Sequence, residues 1–518
     1  MAYSAVTRAA IAAGFGLITA CLSFDPFACA DDTQCDREAL GVCSAGFCSY
    51  PDNACPSGYR YDDNAGMDLG GQCIGVAGTE TLTGSGGAEN DDPSDEDSTT
   101  AAESDDDVAD MDATDESPTG DTGTGTGPGA CGGAGEECCA GDMCDAGLSC
   151  LGEGCSCVAR LAAGNRHTCV IKLDGTVHCW GSNNAGQLGQ MMMTESLIPL
   201  EVPGPFGAGM MAATDLAATD HTCARRADSV AYCWGNNVLG QVDPPSGVAA
   251  VSNATIASWA TGAVAVAAGA SHTCAARDTG TSSTCWGDNT NSQLTGADAG
   301  PTPVDNIAGV TYSQIEGGDD FTCAAQVTGA VSCWGNNAQG QLANDPTTIA
   351  SSTTPVAAQV ANAAAISAGG QHVCAHVGTG VQCWGRGDLG QLGNGMDVNS
   401  FMPVPVLLPP MVTTAQVVTG PNHSCMLSTV GEVYCWGSND NGQLMLEPDK
   451  VGNDQFTLTP VLLDLGTTAQ QIATGATHTC VLASTGEVLC WGTNAEGQLG
   501  DGSTTYGFDP TPAMLECP

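Results

Sequence analysis

Positive charge is scarce in this chain. Lysine and arginine supply 11 of 518 residues against 58 aspartates and glutamates, for a formal net charge of -47. Such a surface repels phosphate backbones, which excludes nucleic acid as a partner; an acidic balance otherwise serves solubility or salt tolerance. Long apolar runs are lacking as well. Past the N-terminal segment no stretch of about 18 apolar residues occurs, so the mature protein is expected not to span a membrane. Catalytic constellations are missing too. No Ser-His-Asp or Cys-His arrangement stands apart from the repeating pattern described below, no glycine-rich loop is built to cradle a phosphate, and no carboxylate pair breaks the pattern. These absences point away from an enzyme, a cofactor and a small-molecule substrate.

Cysteine, by contrast, is abundant at 29 residues. That is too many for a reducing compartment unless they hold metals, so export is expected to show at the N-terminus. Arg8 precedes an apolar stretch, residues 9–20, too short to span a bilayer and of signal-peptide length. The stretch ends Leu17-Ile18-Thr19-Ala20-Cys21, similar to a bacterial lipoprotein box in which the cysteine is lipidated and becomes the new N-terminus. Cleavage after Ala28-Cys29-Ala30 is the rival; Cys21 is favoured because the apolar run stops there. The expected location is the cell envelope, with lipid anchorage to the outer membrane or cell surface as the sole membrane contact.

Composition then divides the chain. Residues 1–20 form the signal peptide. Residues 21–78 follow the lipidated cysteine and contain Cys29, Cys35, Cys43, Cys48, Cys55 and Cys73 among little apolar material, so disulfides are expected to replace a core. This segment resembles small Cys-rich modules of myxobacterial surface lipoproteins. Residues 79–130 hold 16 acidic residues and no basic ones, and read as a disordered, self-repelling tether spanning roughly 40 Å or more. Residues 131–157 compress seven cysteines around the pair Cys138-Cys139 and resemble a knottin-type miniature, whose connectivity spacing does not determine.

From residue 158 to 518 the chain repeats itself. A Cys-Trp-Gly triplet recurs with its tryptophan at Trp180, Trp234, Trp286, Trp334, Trp384, Trp436 and Trp491, at intervals of 54, 52, 48, 50, 52 and 55 residues. Seven units of short strands and Gly-rich turns predict an all-β fold, a closed seven-bladed β-propeller preceded by small disulfide-rich modules and a disordered acidic linker. The unit Leu161-Ala-Ala-Gly-Asn-Arg-His-Thr-Cys169, followed by Cys179-Trp-Gly and Gly186-Gln-Leu, closely resembles the repeats of the regulator of chromosome condensation family.

Each repeat holds two cysteines: Cys169 and Cys179, Cys223 and Cys233, Cys274 and Cys285, Cys323 and Cys333, Cys374 and Cys383, Cys425 and Cys435, Cys480 and Cys490. A ten-residue spacing centres a hairpin on a three-residue loop with glycine third, as Gly175, Gly329, Gly431 and Gly486 are; Ser229 departs from this. The nine-residue spacing of Cys374 and Cys383 predicts a two-residue loop, Gly378-Thr379, with glycine first. Each pair therefore faces across neighbouring strands and is expected to form a disulfide. Cys157 and Cys517 remain, at the two ends of the ring, and a clip between them is expected there. His167, His221, His272, His372, His423 and His478 sit two residues before a blade's first cysteine, while the fourth repeat has Phe321. Too few ligands accompany them for Zn²⁺, so no metal is expected and a structural hydrogen-bonding role is. The seven tryptophans read as packing anchors.

The loops after each Gly-Gln-Leu vary most, and variable loops on a rigid ring are where specificity resides. The expected function is a non-catalytic, surface-displayed binder of an unidentified protein or envelope polymer. The resemblance implies protein contacts, and exported relatives include inhibitors of β-lactamases. The alternative it implies is guanine-nucleotide exchange on a small GTPase, which export opposes. A propeller hydrolase or lyase would need carboxylates and histidines converging at the central channel.

Overall fold

The computed structural model describes residues 148–517, apart from 152–153, 192, 244–246, 278–282, 297–303, 307–309 and 447–454, together with three short strands between 42 and 61. The signal segment, Cys21, most of both Cys-rich modules and the acidic linker lie outside the described residues. The chain forms two units, Met1–Ser117 and Pro118–Pro518. In the first, Val42–Ser44, Phe47–Pro51 and Tyr59–Tyr61 make a three-stranded antiparallel sheet. Among the described residues no helix is long and apolar enough to cross a membrane.

The second unit holds seven four-stranded antiparallel sheets, the blades, each made of four consecutive strands. Blade 1 comprises Val158–Ala163, His167–Lys172, Val177–Ser182 and Glu195–Glu201, and blade 7 comprises Ala469–Thr474, His478–Ala483, Val488–Gly492 and Gly507–Pro512. The innermost strands pack side by side around an axis, and that of blade 7 meets that of blade 1. The interval of about fifty residues thus appears as one blade per repeat, closed into a ring.

The repeated triplet has a local reason. Thr168 pairs with Trp180 and Cys169 with Cys179, after which the third strand shifts register against the fourth between Cys179 and Gly181. At this bulge Gly181 adopts a φ of 103°, and a Cβ there would stand 2.7 Å from His167 Cα. Only glycine fits such a backbone and such an approach, so Trp-Gly is fixed as a unit. The indole then lies between blades. All seven are fully buried, Trp234 among Ile171, Val177, Leu188 and Val202 of blade 1 and Ala224 of its own blade. The hydrophobic cores therefore sit in the seams, one per pair of neighbours.

In every blade the two cysteines are direct cross-strand partners joined by a disulfide, with Cα atoms 4.1 Å apart. Gly175, Gly329, Gly431 and Gly486 take left-handed φ values of 77 to 92° at the third loop position. Ser229 takes the same conformation, at 63°, without being glycine. In blade 5 Val377 pairs with Gly380 and Gly378 has φ 62°, while Thr379 stays out of the left-handed region. A further disulfide joins Cys157 and Cys517, Cα atoms 5.6 Å apart and 360 residues apart in sequence. Each blade is continuous in the chain, so no shared blade closes the ring; this bond does so, beside Lys172 Nζ donating to Glu516 O at 2.8 Å.

The strand directions separate two faces. The innermost strand of blade 1 runs from Val158 towards the turn at 164–166, and the second strand returns to the hairpin at 173–176. Cys157 O accepts from Leu173 N at 2.7 Å, so the chain enters the ring on the hairpin face. The long loops after the third strands, such as 183–194 and 337–350, lie on the opposite face.

Candidate functional site

The six repeat histidines stand at the start of each second strand, fully buried. Each Nε2 meets a hydroxyl of the next blade: His167 with Thr222 at 2.7 Å, His221 with Thr273 at 2.6 Å, His272 with Thr322 at 2.8 Å, His372 with Ser424 at 2.7 Å, His423 with Thr479 at 2.9 Å, and His478 with Thr168 at 2.9 Å across the closure. Each of those hydroxyls also donates to the main-chain carbonyl of the turn glutamine in the blade before it. Thr222 reaches Gln187 O at 3.0 Å and Thr168 reaches Gln498 O at 2.9 Å. With its own proton so committed, the hydroxyl accepts from the imidazole, which fixes the proton on Nε2. Five of the indoles donate to these same carbonyls, Trp234 to Gln187 O at 2.8 Å and Trp180 to Gln498 O at 2.9 Å among them, and Trp384 donates to the equivalent Gln341 O at 3.0 Å. Histidine, hydroxyl, carbonyl and indole thus lock five of the seven seams.

Burial drives these imidazoles to pKa values of about 3 for His167, His221, His372 and His423, and about 4 for His272 and His478; neighbouring charges add smaller contributions where present. They are neutral pegs, not proton-transfer groups at ordinary pH. No cluster of three or more metal-ligating side chains occurs among the described residues. The seam between blades 4 and 5 departs from the rule on both sides at once. Phe321 replaces the histidine, Val373 replaces the hydroxyl, and the two share one apolar cluster, each fully buried. An unpartnered buried polar group costs more than a matched apolar pair, so the two changes belong together. The sequence pattern marks the histidine, but its hydroxyl partner about fifty residues on goes unread; the repeated His-Thr-Cys triplet is the signal that would have found it.

The innermost strands enclose an axial channel of about 530 Å³, walled largely by alanine and glycine. Polar side chains on the strands clasp the next blade's main chain. Gln314 Nε2 donates to Ile366 O at 2.6 Å and Gln416 Nε2 to Ile472 O at 3.0 Å, and Gln471 Nε2 reaches Ala159 O at 2.9 Å across the closure. Arg160, Asp215, Arg225 and Glu316 line the same channel, with Asp319 at its end near the 318–320 turn. Burial raises Asp215, with Arg225 and Arg160 opposing, and pushes Glu316 up to about 8. Carboxylates do converge here, but the six repeat histidines lie in the seams and none lines the channel.

Of the variable loops, Met191 and Met193 are exposed, 65% and 38%, while Met192 lies outside the described residues, as do Pro244–Ser246 and residues 447–454. Trp259, which stands outside the repeat register, packs half-buried against the seam of blades 2 and 3, its carbonyl accepting from Arg277.

The regulator of chromosome condensation (RCC1) repeat matches residues 158–187, 263–293, 415–443 and 469–498, and in a second form 174–224, 380–427 and 430–482. Among curated proteins, a probable E3 ubiquitin-protein ligase HERC4 of Homo sapiens is 40% identical over 89 residues, 17% of this chain and 8% of the ligase. The ultraviolet-B receptor UVR8 of Arabidopsis thaliana is 28% identical over 187 residues, 35% of this chain and 41% of the receptor. The match thus spans well under half of either relative's length. Among solved structures, human WBSCR16 superposes with a TM-score of 0.57 at 18% identity, covering 66% of this chain and 94% of that one, a likeness of fold.

Proposed function

We propose that this chain, a seven-bladed propeller of regulator of chromosome condensation repeats, is a non-catalytic binding protein displayed at the cell surface, an interaction scaffold or inhibitor-like binder. One observation carries the reading: the groups that do chemistry elsewhere are consumed by the architecture here. The six repeat histidines are neutral seam pegs, and the blade cysteines are all in disulfides. What varies between blades is the long-loop face, and it presents exposed Met191, Leu239 and Met396 at 65%, 45% and 57%. The chain enters on the hairpin face, so an anchor at Cys21 and an acidic tether before the ring leave the long loops free to meet a protein or an envelope polymer.

The test places photo-crosslinking residues at Leu239 on the long-loop face and at Val327 on the hairpin face of the full-length protein in its own envelope. Defined adducts at 239 and none at 327 support the reading. Adducts confined to 327, or stimulated nucleotide release from a small GTPase by the purified protein, overturn it.

A further inference from the structure

Among the described residues of the ring, five of the seven basic side chains are committed. Arg166 pairs with Glu496 at 3.7 Å, Arg226 with Asp228, and Arg386 with Asp388 at 2.6 Å, while Lys172 and Arg277 donate to the carbonyls of Glu516 and Trp259. Arg160 and Arg225 differ. Arg160, on the innermost strand of blade 1, is exposed and has no hydrogen-bond or ion-pair partner among the described residues. Arg225, on the second strand of blade 2, reaches Arg226 O with Nη1 at 3.4 Å, and its Nε is buried without a partner. Both line the axial channel.

Asp215 is the cross-strand neighbour of Arg225, yet it forms no ion pair with it within the described residues. Its two oxygens accept instead from Leu216 N at 3.1 Å and Val266 N at 3.3 Å, where it clasps blade 3 as glutamines do at other seams. Two guanidiniums therefore face one carboxylate already engaged elsewhere, at the hairpin end of a channel in a chain of net charge -47. Elsewhere the wall is small, with Ala265, Ala267 and Ala365, and leaves about 530 Å³ open, the size of small-molecule sites. Glu316 on blade 4 accepts from Gln314 Nε2 at 2.7 Å. Burial keeps its carboxyl largely protonated near neutrality, so it offers a proton to a ligand instead of repelling an anion.

We propose that the axial channel binds a small carboxylate anion, its acid group taken by Arg160 and Arg225 and a remaining polar atom by Glu316. Planar guanidiniums suit a carboxylate, and their unmet donors are what such a ligand supplies. Two sources present such an acid, a free organic acid and the C-terminal carboxylate of a peptide threaded into the channel. The site is independent of the partner-binding reading above, since it lies inside the ring.

Calorimetric titration of the full-length protein at pH 7 with L-malate, with triglycine and with triglycine amide tests it. Heat from either acid, at least tenfold weaker affinity in Arg225→Gln and in Arg160→Gln, and unchanged melting curves support the site. Malate alone binding identifies a free acid, and triglycine alone a peptide C-terminus. No heat with either acid, equal binding of the amide, or binding that survives both substitutions overturns it. Should Arg225→Gln unfold, the exposed Arg160→Gln carries the test.

Discussion

At the scale of the residue, the seam histidines decide how this fold responds to mutation and to pH. Removing one partner of the His167–Thr222 pair leaves a buried polar group unmet, at a cost of about 1–3 kcal/mol. The blade 4–5 seam already holds the apolar equivalent, Phe321 with Val373, on a backbone where Gly318 lies beside the phenyl ring as Gly164 lies beside His167. His167→Phe and Thr222→Val should therefore each destabilise the ring alone, and the double variant should recover most of the loss. Strictly additive losses in chemical denaturation would refute the matched-pair account. The same imidazoles set an acid limit. Their folded pKa values of about 3 to 4 lie below the 6.5 of an exposed histidine, so the unfolded chain binds more protons between those values. Their contribution is complete above about pH 6.5 and is lost as pH falls towards 4, by on the order of 1 kcal/mol per pH unit for each. Glu316, Asp215, Asp319 and Asp320, all raised, act in the opposite sense, since the native state takes up their protons first. Six strongly displaced imidazoles outweigh them. The denaturation midpoint is expected to be lower at pH 5 than at pH 7; an equal or higher midpoint would contradict the peg assignment.

At the scale of the element, the hairpins show what local sequence can and cannot say. Cysteine spacing and loop glycine are both local, so the three-residue loops at Gly175 and Gly431 and the two-residue loop at Gly378 are legible together, and their left-handed φ values follow. Ser229 breaks the composition without breaking the backbone, at φ 63°. A non-glycine residue there is strained by roughly 1 kcal/mol or more, so Ser229→Gly is expected to raise the melting temperature. Gly431→Ala is expected to lower it, because its Cβ would stand 2.6 Å from Thr468 Cβ. A destabilising Ser229→Gly would mean that the serine makes a contact outweighing its strain. Two features resist local reading for a physical reason. The hydroxyl that receives each imidazole lies one blade away, so ring geometry joins it to the histidine and sequence proximity does not. Arg160, Asp215 and Glu316 stand on innermost strands at positions where other blades have alanine, glutamine, serine or valine, and only closure of the ring turns that edge into a channel.

At the scale of the whole molecule, the fold class follows from seven near-equal intervals, and the ring closes without sharing a blade between its ends. Six seams are joined by the continuing chain, and the seventh by Cys157–Cys517 with the peg His478–Thr168 and the clasp Gln471–Ala159. The hairpin face holds this clip and the chain's entry, and the long loops face away from both. Export, lipidation and the acidic tether, which the proposed function adds to this ring, make one joint demand: every cysteine but Cys21 must be oxidised. Intact-mass spectrometry of the protein from a membrane fraction, alkylated with and without prior reduction, tests that demand most directly. The account predicts a chain beginning at an acylated Cys21, with no alkylation before reduction and 28 sites after it, the 29 cysteines less Cys21. An unprocessed chain with free thiols at the blade pairs would contradict it.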